Sequence, residues 1–497
     1  MNYSHNPIIQ QIPTEIVACI FQLSIPERPS EVSSRSLSKN EIRAPLILGS
    51  VCQVWRQIAF STPQIWTYIS IYLEKKFRSA TARPALYELA QEWLDRSGAF
   101  PLSVYIYGDR HTGGPNITPL IEIVNRCSSR WKHLELELPR SYVSRFTGNS
   151  SGTSILQSLR LRCEKDFPSL NPAKGSLTLH NVKPNPILVS LEDWPIKDVE
   201  IEWNHVTHIH LGYPDISECI EVLRRATKLT SFKFTEARDS SQISFNFIPY
   251  ATPTTPIIRP LLRELYIDVK DIETHKVANF INSFTLPGLE TFAFSSRSDW
   301  HTIPTSNIVL LFKRSACILS TLIIEKDMMD VNEILPLLQT IPSVRNLKFS
   351  SLLDAGVSSV LETLLSTISD MAEGAGHILP ALETLSFSGE NTLVAPFPWA
   401  LVPKIFGPPP NLHRRLLRKL DISVSQDKDL EASLYIDEES IHRFLELREA
   451  GIALNIKVLC SRYDESTRVF HKEEWDLLKL SIEHHSNAVS LSSGPSS

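Results

Sequence analysis

The sequence predicts an α/β fold in which a short helical module precedes a long array of alternating strands and helices with a parallel sheet. Three observations carry that prediction. Residues 8–72 show helical periodicity, ten-residue phrases with a common apolar spacing recur further on, and amphipathic helical segments lie between the phrases. The 497 residues, 42% hydrophobic and 21% charged, leave room for about three domains, or for a small module and one elongated array. That composition excludes bulk disorder and a coiled-coil or collagen-like rod. Only 17 glycines stand against 33 prolines, which disfavours glycine-looped nucleotide-binding folds and suits many short elements with hard stops.

The first helix is expected after Pro13, with Ile16, Ile20 and Phe21 on one face. Proline costs nothing in a first helical turn, because that N–H has no intrahelical partner. Residues 26–43, PERPSEVSSRSLSKNEIR, hold hardly any large apolar side chain and read as a polar insertion. A second helix is expected from about Leu46 to Phe60, carrying Leu48, Val51, Cys52, Trp55 and Ile58. Stripes this short are unstable alone, so the helices must pack on each other, on the run Ile65, Trp66, Ile69 and Ile71 after Pro63, or on a partner chain. Within the linking segment 73–100, a helix from about Pro84 to Arg96 ends before Gly98, a C-terminal stop.

Residues 101–480 carry the repeat. LPGLETFAFS at 286–295, IPSVRNLKFS at 341–350 and LPALETLSFS at 379–388 share proline second, apolar residues first, fourth, seventh and ninth, and serine tenth. A looser hexad, apolar at positions 1, 4 and 6, recurs at Trp131-Leu134-Leu136, Leu156-Leu159-Leu161, Val206-Ile209-Leu211, Leu229-Phe232-Phe234, Leu262-Leu265-Ile267, Leu319-Leu322-Ile324 and Leu417-Leu420-Ile422. At this composition the bare hexad matches at about 7% of starts by chance, so the weight rests on the fuller phrases and on the spacing of the hexads. The spacing fits a strand, a turn, a helix and a return. Ser217–Thr227 and Asn332–Thr340 are such helices. This is the pattern of a leucine-rich repeat, whose fourth and sixth hexad residues point into the core while the third and fifth point outward from a parallel concave sheet. The outward candidates for reading a partner are His133, Glu135, Arg160, His208, His210, Lys233, Glu264, Tyr266, Lys348 and Lys419. From 486 the tail SNAVSLSSGPSS has nothing to bury and is expected to be disordered.

Few motifs in the sequence carry chemistry. A net charge of −5 gives no basic excess for a nucleic-acid backbone, and no apolar run is long enough to cross a bilayer or to act as a secretory signal. Seven dispersed cysteines without a C-x-x-C pair suit a reducing cytoplasm or nucleus, and the N-x-S/T triplets at Asn2, Asn116 and Asn149 then carry no sugar. Gly148-Asn149-Ser150-Ser151-Gly152 fits a nucleophile elbow in letters, but a polar loop stands where a buried strand is required. His205, His208 and His210 have ligand-like spacing, yet on a strand the last two simply face outward. Asp437-Glu438-Glu439 reads as end-capping of the helix Ser440–Ala450, and the basic run His413, Arg414, Arg415, Arg418 and Lys419 as a solvated face. No phosphate-cradling glycine motif exists, and no metal or cofactor is expected.

With those residues in view, the first 70 resemble the F-box-like modules of fungal F-box/leucine-rich-repeat proteins. Ile12, Pro13, Glu15, Ile16, Ile20 and Phe21 stand at the family's Leu-Pro-x-Glu-Ile and following Ile-Phe. Val51, Cys52, Trp55, Arg56, Ala59, Pro63, Ile65 and Trp66 stand at its Val-Cys-x-x-Trp-Arg-x-Ala and Pro-x-Leu-Trp. WLDRSGAFPLSVYIYG at 93–108 and IEWNHVTHIHLG at 201–212 are similar to later parts of such proteins. Isoleucine at 12 in place of leucine, and the insertion at 26–43, are departures. The resemblance implies a three-helix F-box-like module followed by an irregular leucine-rich-repeat solenoid. It also implies a non-enzymatic role as substrate receptor of an SCF-type ubiquitin ligase, docking a Skp-type adaptor and through it a cullin, while the repeats bind a protein target. Carried over by position, Ile12, Pro13, Ile16, Ile20, Val51, Trp55 and Trp66 face the adaptor or support that face. The alternative is a leucine-rich-repeat scaffold whose helical cap never engages a ligase.

Overall fold

A computed structural model of the chain describes residues 12–25, 43–73, 82–108, 117–148, 153–163, 176–179, 183–239, 249–296, 303–326, 331–350, 357–370, 378–390, 397–406, 416–426, 435–464 and 469–492. The protein is α/β and its strands run mostly parallel. It divides into two compact units, Met1–Pro214 with Arg225–Thr227, and Asp215–Arg224 with Lys228–Ser497.

The first unit opens with the helix Thr14–Ser24, whose buried side chains are Val17 and Phe21. The one face expected to carry Ile16, Ile20 and Phe21 is divided: the i, i+4 pair Val17/Phe21 faces the core and the pair Ile16/Ile20 faces out. The cause is Trp55, whose ring lies tilted against that of Phe21 with centroids 5.0 Å apart and fixes which face of the helix turns inward. The single helix expected from Leu46 to Phe60 is two, Ala44–Val51 and Gln53–Phe60. Cys52 between them is fully extended, and its Sγ accepts the Trp55 N–H at 3.4 Å, so the thiol caps the second helix. Arg56 Nε donates to the Gly49 carbonyl at 2.9 Å across the break. The polar insertion lies outside the described residues, save Arg43 at the start of the second helix.

After the 3-10 turn Pro63–Trp66, strand β1 (Tyr68–Leu73) begins the sheet. Residues 68–72, expected within the helical module, thus belong to the strand ladder, and Trp66-Ile69-Ile71 is itself a 1-4-6 hexad with all three side chains buried. The helix Ala82–Arg96 follows, ending at Gly98, which takes the left-handed conformation at φ 57°. Then come β2 (Leu102–Gly108), β3 (Trp131–Glu137), β4 (Ser158–Arg162), β5 (Leu188–Glu192) and β6 (His208–Gly212). Each pairs in parallel with its predecessor, and Ile69, Val104, Leu134, Leu159, Val189 and Ile209 form one continuous inward row. Strand β5 carries no hexad in the sequence, because Pro186 occupies the first position.

The second unit starts with the helix Ile216–Arg225 and strand β7 (Ser231–Ala237). The two-residue strands β8 (Ile257–Ile258) and β10 (Phe284–Thr285) pair with each other in parallel. The main ladder continues through β9 (Glu264–Val269), β11 (Thr291–Ser296), β12 (Thr321–Lys326), β13 (Asn346–Ser350), β14 (Thr384–Glu390), β15 (Lys419–Gln426) and β16 (Ala453–Asp464), all parallel. β17 (Val469–Asp476) closes it antiparallel to β16. Helices Thr274–Asn282, Thr305–Ser315, Val331–Thr340 and Val357–Asp370 fall between strands, as the strand–helix spacing requires. The three ten-residue phrases end in β11, β13 and β14, and all their first, fourth, seventh and ninth residues are buried, as are all three apolar members of every looser hexad. Each such side chain contributes about 1.5–3 kcal/mol by leaving water.

Arginine holds the helix ends in a recurrent way. Arg130 reaches past the helix Ala82–Arg96 to Ser97 Oγ at 2.9 Å and to the Leu94 and Gly98 carbonyls. Arg259 donates to the Leu223 and Arg224 carbonyls at 2.6 and 3.0 Å, and Arg314 to those of Ile281 and Phe284. Those of Leu94, Leu223, Arg224 and Ile281 belong to the last helical turns, whose carbonyls a helix leaves without intrahelical partners, and those of Gly98 and Phe284 lie just beyond the helix ends. Asp437 caps the helix Glu438–Glu449 as expected, its Oδ1 accepting the Ser440 N–H at 2.8 Å. Of the tail expected to be disordered, residues 486–492 instead continue the helix Leu477–Ser492, with Ser486 Oγ donating to the Ile482 carbonyl, and the rest lies outside the described residues. Among the described residues no helix is long and apolar enough to cross a membrane.

The cysteines give a direct check on this packing. Cys219 is buried in the helix Ile216–Arg225, and burial first, then the carboxylates of Glu218 and Asp215, pushes its thiol well above the usual range. Cys19 and Cys52 are exposed. A brief pulse of iodoacetamide on the native protein, mapped by mass spectrometry, should label Cys19 and Cys52 and leave Cys219 unmodified until denaturant is added. Equal labelling of Cys219 and Cys52 in the native state contradicts the packing of that helix.

Candidate functional site

Two surfaces stand out once the core is assigned. The first is the outer face of the amino-terminal helices. On the helix Thr14–Ser24, Ile16, Ile20 and Leu23 follow an i, i+4, i+7 stripe and are 50, 49 and 87% exposed. On the helix Ala44–Val51, Ile47 and Val51 at i, i+4 are 47 and 57% exposed, and Val54 follows just inside the next helix. Single exposed aliphatics are ordinary on a protein surface, whereas several on consecutive short helices form the signature of an interaction site.

That face is held rigidly from behind. Trp66 is fully buried; its indole N–H donates to the Ala59 carbonyl at 2.8 Å, and its ring meets Phe60 and Trp93 edge-on at 5.8 and 4.8 Å. Trp93 donates to the Tyr68 carbonyl at 3.0 Å, which anchors the assembly to β1. Arg96 lays its guanidinium 3.6 Å from the Phe60 ring centroid and 4.8 Å from that of Trp66. Of the residues expected to face an adaptor, Pro13, Ile16, Ile20 and Val51 are exposed, and Ile12 and Trp55 are half-buried. Trp66 has no exposed surface and so falls among the residues that support that face. Leu23, Ile47 and Val54 were not singled out by the sequence, although Leu23 continues the spacing of Ile16 and Ile20, and Ile47 lies one turn before Val51.

The second surface is the outward side of the strands. Within each unit the expected residues alternate along their strands with the buried, inward side chains, and they fall into separate groups. On the first unit, Glu135 and Arg160 are register neighbours joined by an ion pair at 3.5 Å, and Ser190 sits between Arg160 and His210 with its Oγ 3.4 Å from His210 Nδ1. His208 meets Thr207 Oγ1 at 2.8 Å, and His133 lies on β3 one turn of the pleat before Glu135. On the second unit, Lys233 lies 5.9 Å from the Tyr266 ring centroid, Glu264 accepts a bond from Ser231 at 2.8 Å, Lys348 pairs with Glu325 at 3.7 Å, and Lys419 with Asp421 at 2.7 Å. Burial first, then the Glu264 charge, raises the Tyr266 hydroxyl above its ordinary range.

The sequence reading passed over four tyrosines on the same side of β1 and β2. Tyr72 and Tyr107 stack at 4.8 Å with an interplanar angle of 17°, Tyr68 and Tyr105 lie 4.7 Å apart, and the Tyr107 hydroxyl reaches Glu135 Oε1 at 3.1 Å. The alternation in Tyr68-Ile69-Ser70-Ile71-Tyr72 and Ser103-Val104-Tyr105-Ile106-Tyr107 was the available signal.

Among the described residues no group of three histidine, cysteine or carboxylate side chains is arranged to hold a metal. Ser150, His413, Arg414 and Arg415 lie outside the described residues. Comparison with known proteins finds no matching family model and no matching curated protein.

Proposed function

We propose that the chain is a substrate-recognition subunit of an SCF-type ubiquitin ligase, its F-box-like helices docking a Skp-type adaptor and its leucine-rich-repeat-like strands binding the protein to be modified. The observation that carries this reading is the outward apolar stripe Ile16, Ile20 and Leu23, with Ile47 and Val51, on helices whose inward face is already satisfied by Phe21, Trp55 and Trp66. A cap that only seals the end of a sheet has no use for aliphatics on its solvent side; a docking module does. The bond-making steps fall to other subunits in such a complex, and the receptor acts by raising the effective concentration of target lysines near the conjugating enzyme. The in-register side chains on both strand ladders support the second half of the reading, since parallel strands present one residue per strand at a regular interval.

The test is co-purification of the full chain with a Skp-type adaptor. Ile20→Asp combined with Val51→Asp places two charges on the apolar stripe without touching the core, and should reduce adaptor recovery by about tenfold or more while the thermal transition stays where it was. An unchanged yield of adaptor from the double variant, or no adaptor with the parent chain, leaves the scaffold reading in its place.

A further inference from the structure

Among the described residues, strand β1 has a paired strand on one side only. Its register with β2, and the Ser103 N–H donating to the Thr67 carbonyl at 2.9 Å, fix the phase of the parallel pairing, so Ile69 and Ile71 turn their backbone groups toward β2. Those of Tyr68, Ser70 and Tyr72 then face the other edge. The Trp93 indole N–H agrees with this phase, since it reaches the Tyr68 carbonyl from the helix Ala82–Arg96 at 3.0 Å. Among the described residues no group meets the Ser70 or Tyr72 backbone on that edge. Sheet edges are commonly blunted by charge, proline or a bulge, and Tyr-Ile-Ser-Ile-Tyr-Leu has none of these, whereas the last strand, β17, carries exposed Glu474 and Asp476. Tyr72 adds a side-chain feature. One face of its ring is stacked on Tyr107 at 4.8 Å and 17°, so the other face is turned toward the same open edge.

We propose that the free edge of β1 takes an extended segment of a partner protein by main-chain pairing along Ser70–Tyr72, with an aromatic side chain of that segment stacked on the outer face of Tyr72. The site rests on the reading of the strand array as a recruitment surface, and names the form of target it takes. Unpaired N–H and C=O groups at strand spacing are complementary to another extended backbone and to little else. Because Trp93 closes the start of the edge, outward-turned backbone remains at Ser70 and Tyr72, which suits a short segment and not the edge of a second folded sheet. Ile69, Ile71 and Leu73 are already buried, so the inward side of the segment gains little and selectivity falls to the residue beside Tyr72, where aromatic pairs on neighbouring strands are favoured.

Fluorescence anisotropy on the isolated full chain tests this without any adaptor, so failure here and failure to recover an adaptor are separate results. The probe is a fluorescein-labelled peptide of alternating threonine and tyrosine, Thr-Tyr-Thr-Tyr-Thr. Replacing its tyrosines by serine should weaken binding by about fivefold or more. An extended peptide turns alternate N–H groups to opposite edges, so of two counterparts, one methylated on the tyrosine nitrogens and one on the threonine nitrogens, a single one should lose about tenfold or more in affinity. Tyr72→Ala should weaken the parent peptide by about fivefold, and Tyr72→Phe, which keeps the ring, by no more than about twofold. The methylated peptides act on the unaltered chain, so their result does not depend on how Tyr72→Ala folds. Equal affinity of the two methylated peptides, undiminished binding of the serine peptide, or indifference to Tyr72→Ala would overturn the proposal.

Discussion

Trp66→Ala should release the amino-terminal helices from the first unit, at a cost of about 4–5 kcal/mol, or more than a thousandfold in the local opening equilibrium. Three losses add up at this position. The indole fills space between Phe60 and Trp93, its N–H satisfies the Ala59 carbonyl at the end of the helix Gln53–Phe60, and its ring carries part of the Arg96 guanidinium. A cavity, the loss of one hydrogen bond to the Ala59 carbonyl, which the Thr62 N–H also meets at 3.3 Å, and a lost cation–π contact follow together. Trp66→Phe keeps most of the volume and loses the N–H, so about 1–2 kcal/mol is expected. Hydrogen exchange over residues 53–66 reads both values, because protection there reports opening of these helices. Protection within about 1 kcal/mol of the parent chain in Trp66→Ala would mean that the module is held by something other than this tryptophan.

The same residue shows where sequence reasoning stopped short. Trp66, Ile69 and Ile71 satisfy the hexad that marks strands throughout the later chain, yet their place behind two helices assigned them to a helical bundle. Their burial was legible and their destination was not, since an apolar run of this length packs as well beneath helices as in a parallel sheet. The ten-residue phrases were far more informative. Four apolar positions fixed in order leave only one way to turn the chain into the core, and every one of those side chains is buried. Strand β5 escaped because Pro186 replaces the leading apolar residue, and β16 because Gly451, at φ 86°, does so. The break at Cys52 depends on a thiol accepting a backbone hydrogen bond, a choice that helical periodicity does not encode.

The docking surface was partly legible for a related reason. Ile16 and Ile20 were recognised as a stripe, but one helix in isolation offers two adjacent i, i+4 pairs, Ile16/Ile20 and Val17/Phe21, separated by about 100° of arc. Only the position of Trp55 decides which pair turns inward. The strand face was legible as alternation, so each of the ten chosen residues alternates with buried neighbours, while their grouping into ion pairs and stacks came from register across strands far apart in sequence.

Arg314→Ala should destabilise the second unit by about 3 kcal/mol, a large effect for a residue with neither catalytic nor apolar character. Its Nε and a terminal nitrogen donate to the Phe284 carbonyl at 3.0 and 2.9 Å, and it also reaches the Ile281 carbonyl, so one guanidinium satisfies the end of the helix Thr274–Asn282 and the start of β10. Partial burial lowers its pKa, but an arginine begins so high that the group stays charged at every accessible pH. Removing it strands two acceptors that no water replaces cheaply beside the buried Phe280 and Phe284 rings. Arg314→Lys should recover less than half of the loss, because a single ammonium lacks the planar fork that spans both carbonyls. Arg345→Ala is the matched control: Arg345 also reaches to a neighbouring repeat, pairing with Glu383 at 3.3 Å, but both side chains are largely exposed. Solvent screening limits that pair to less than about 0.5 kcal/mol. Urea denaturation of the three variants, followed by tryptophan fluorescence and by exchange at residues 274–285, separates the two cases. A loss for Arg314→Ala as small as that for Arg345→Ala would show that water reaches these carbonyls, and that the repeats are held by their apolar rows alone.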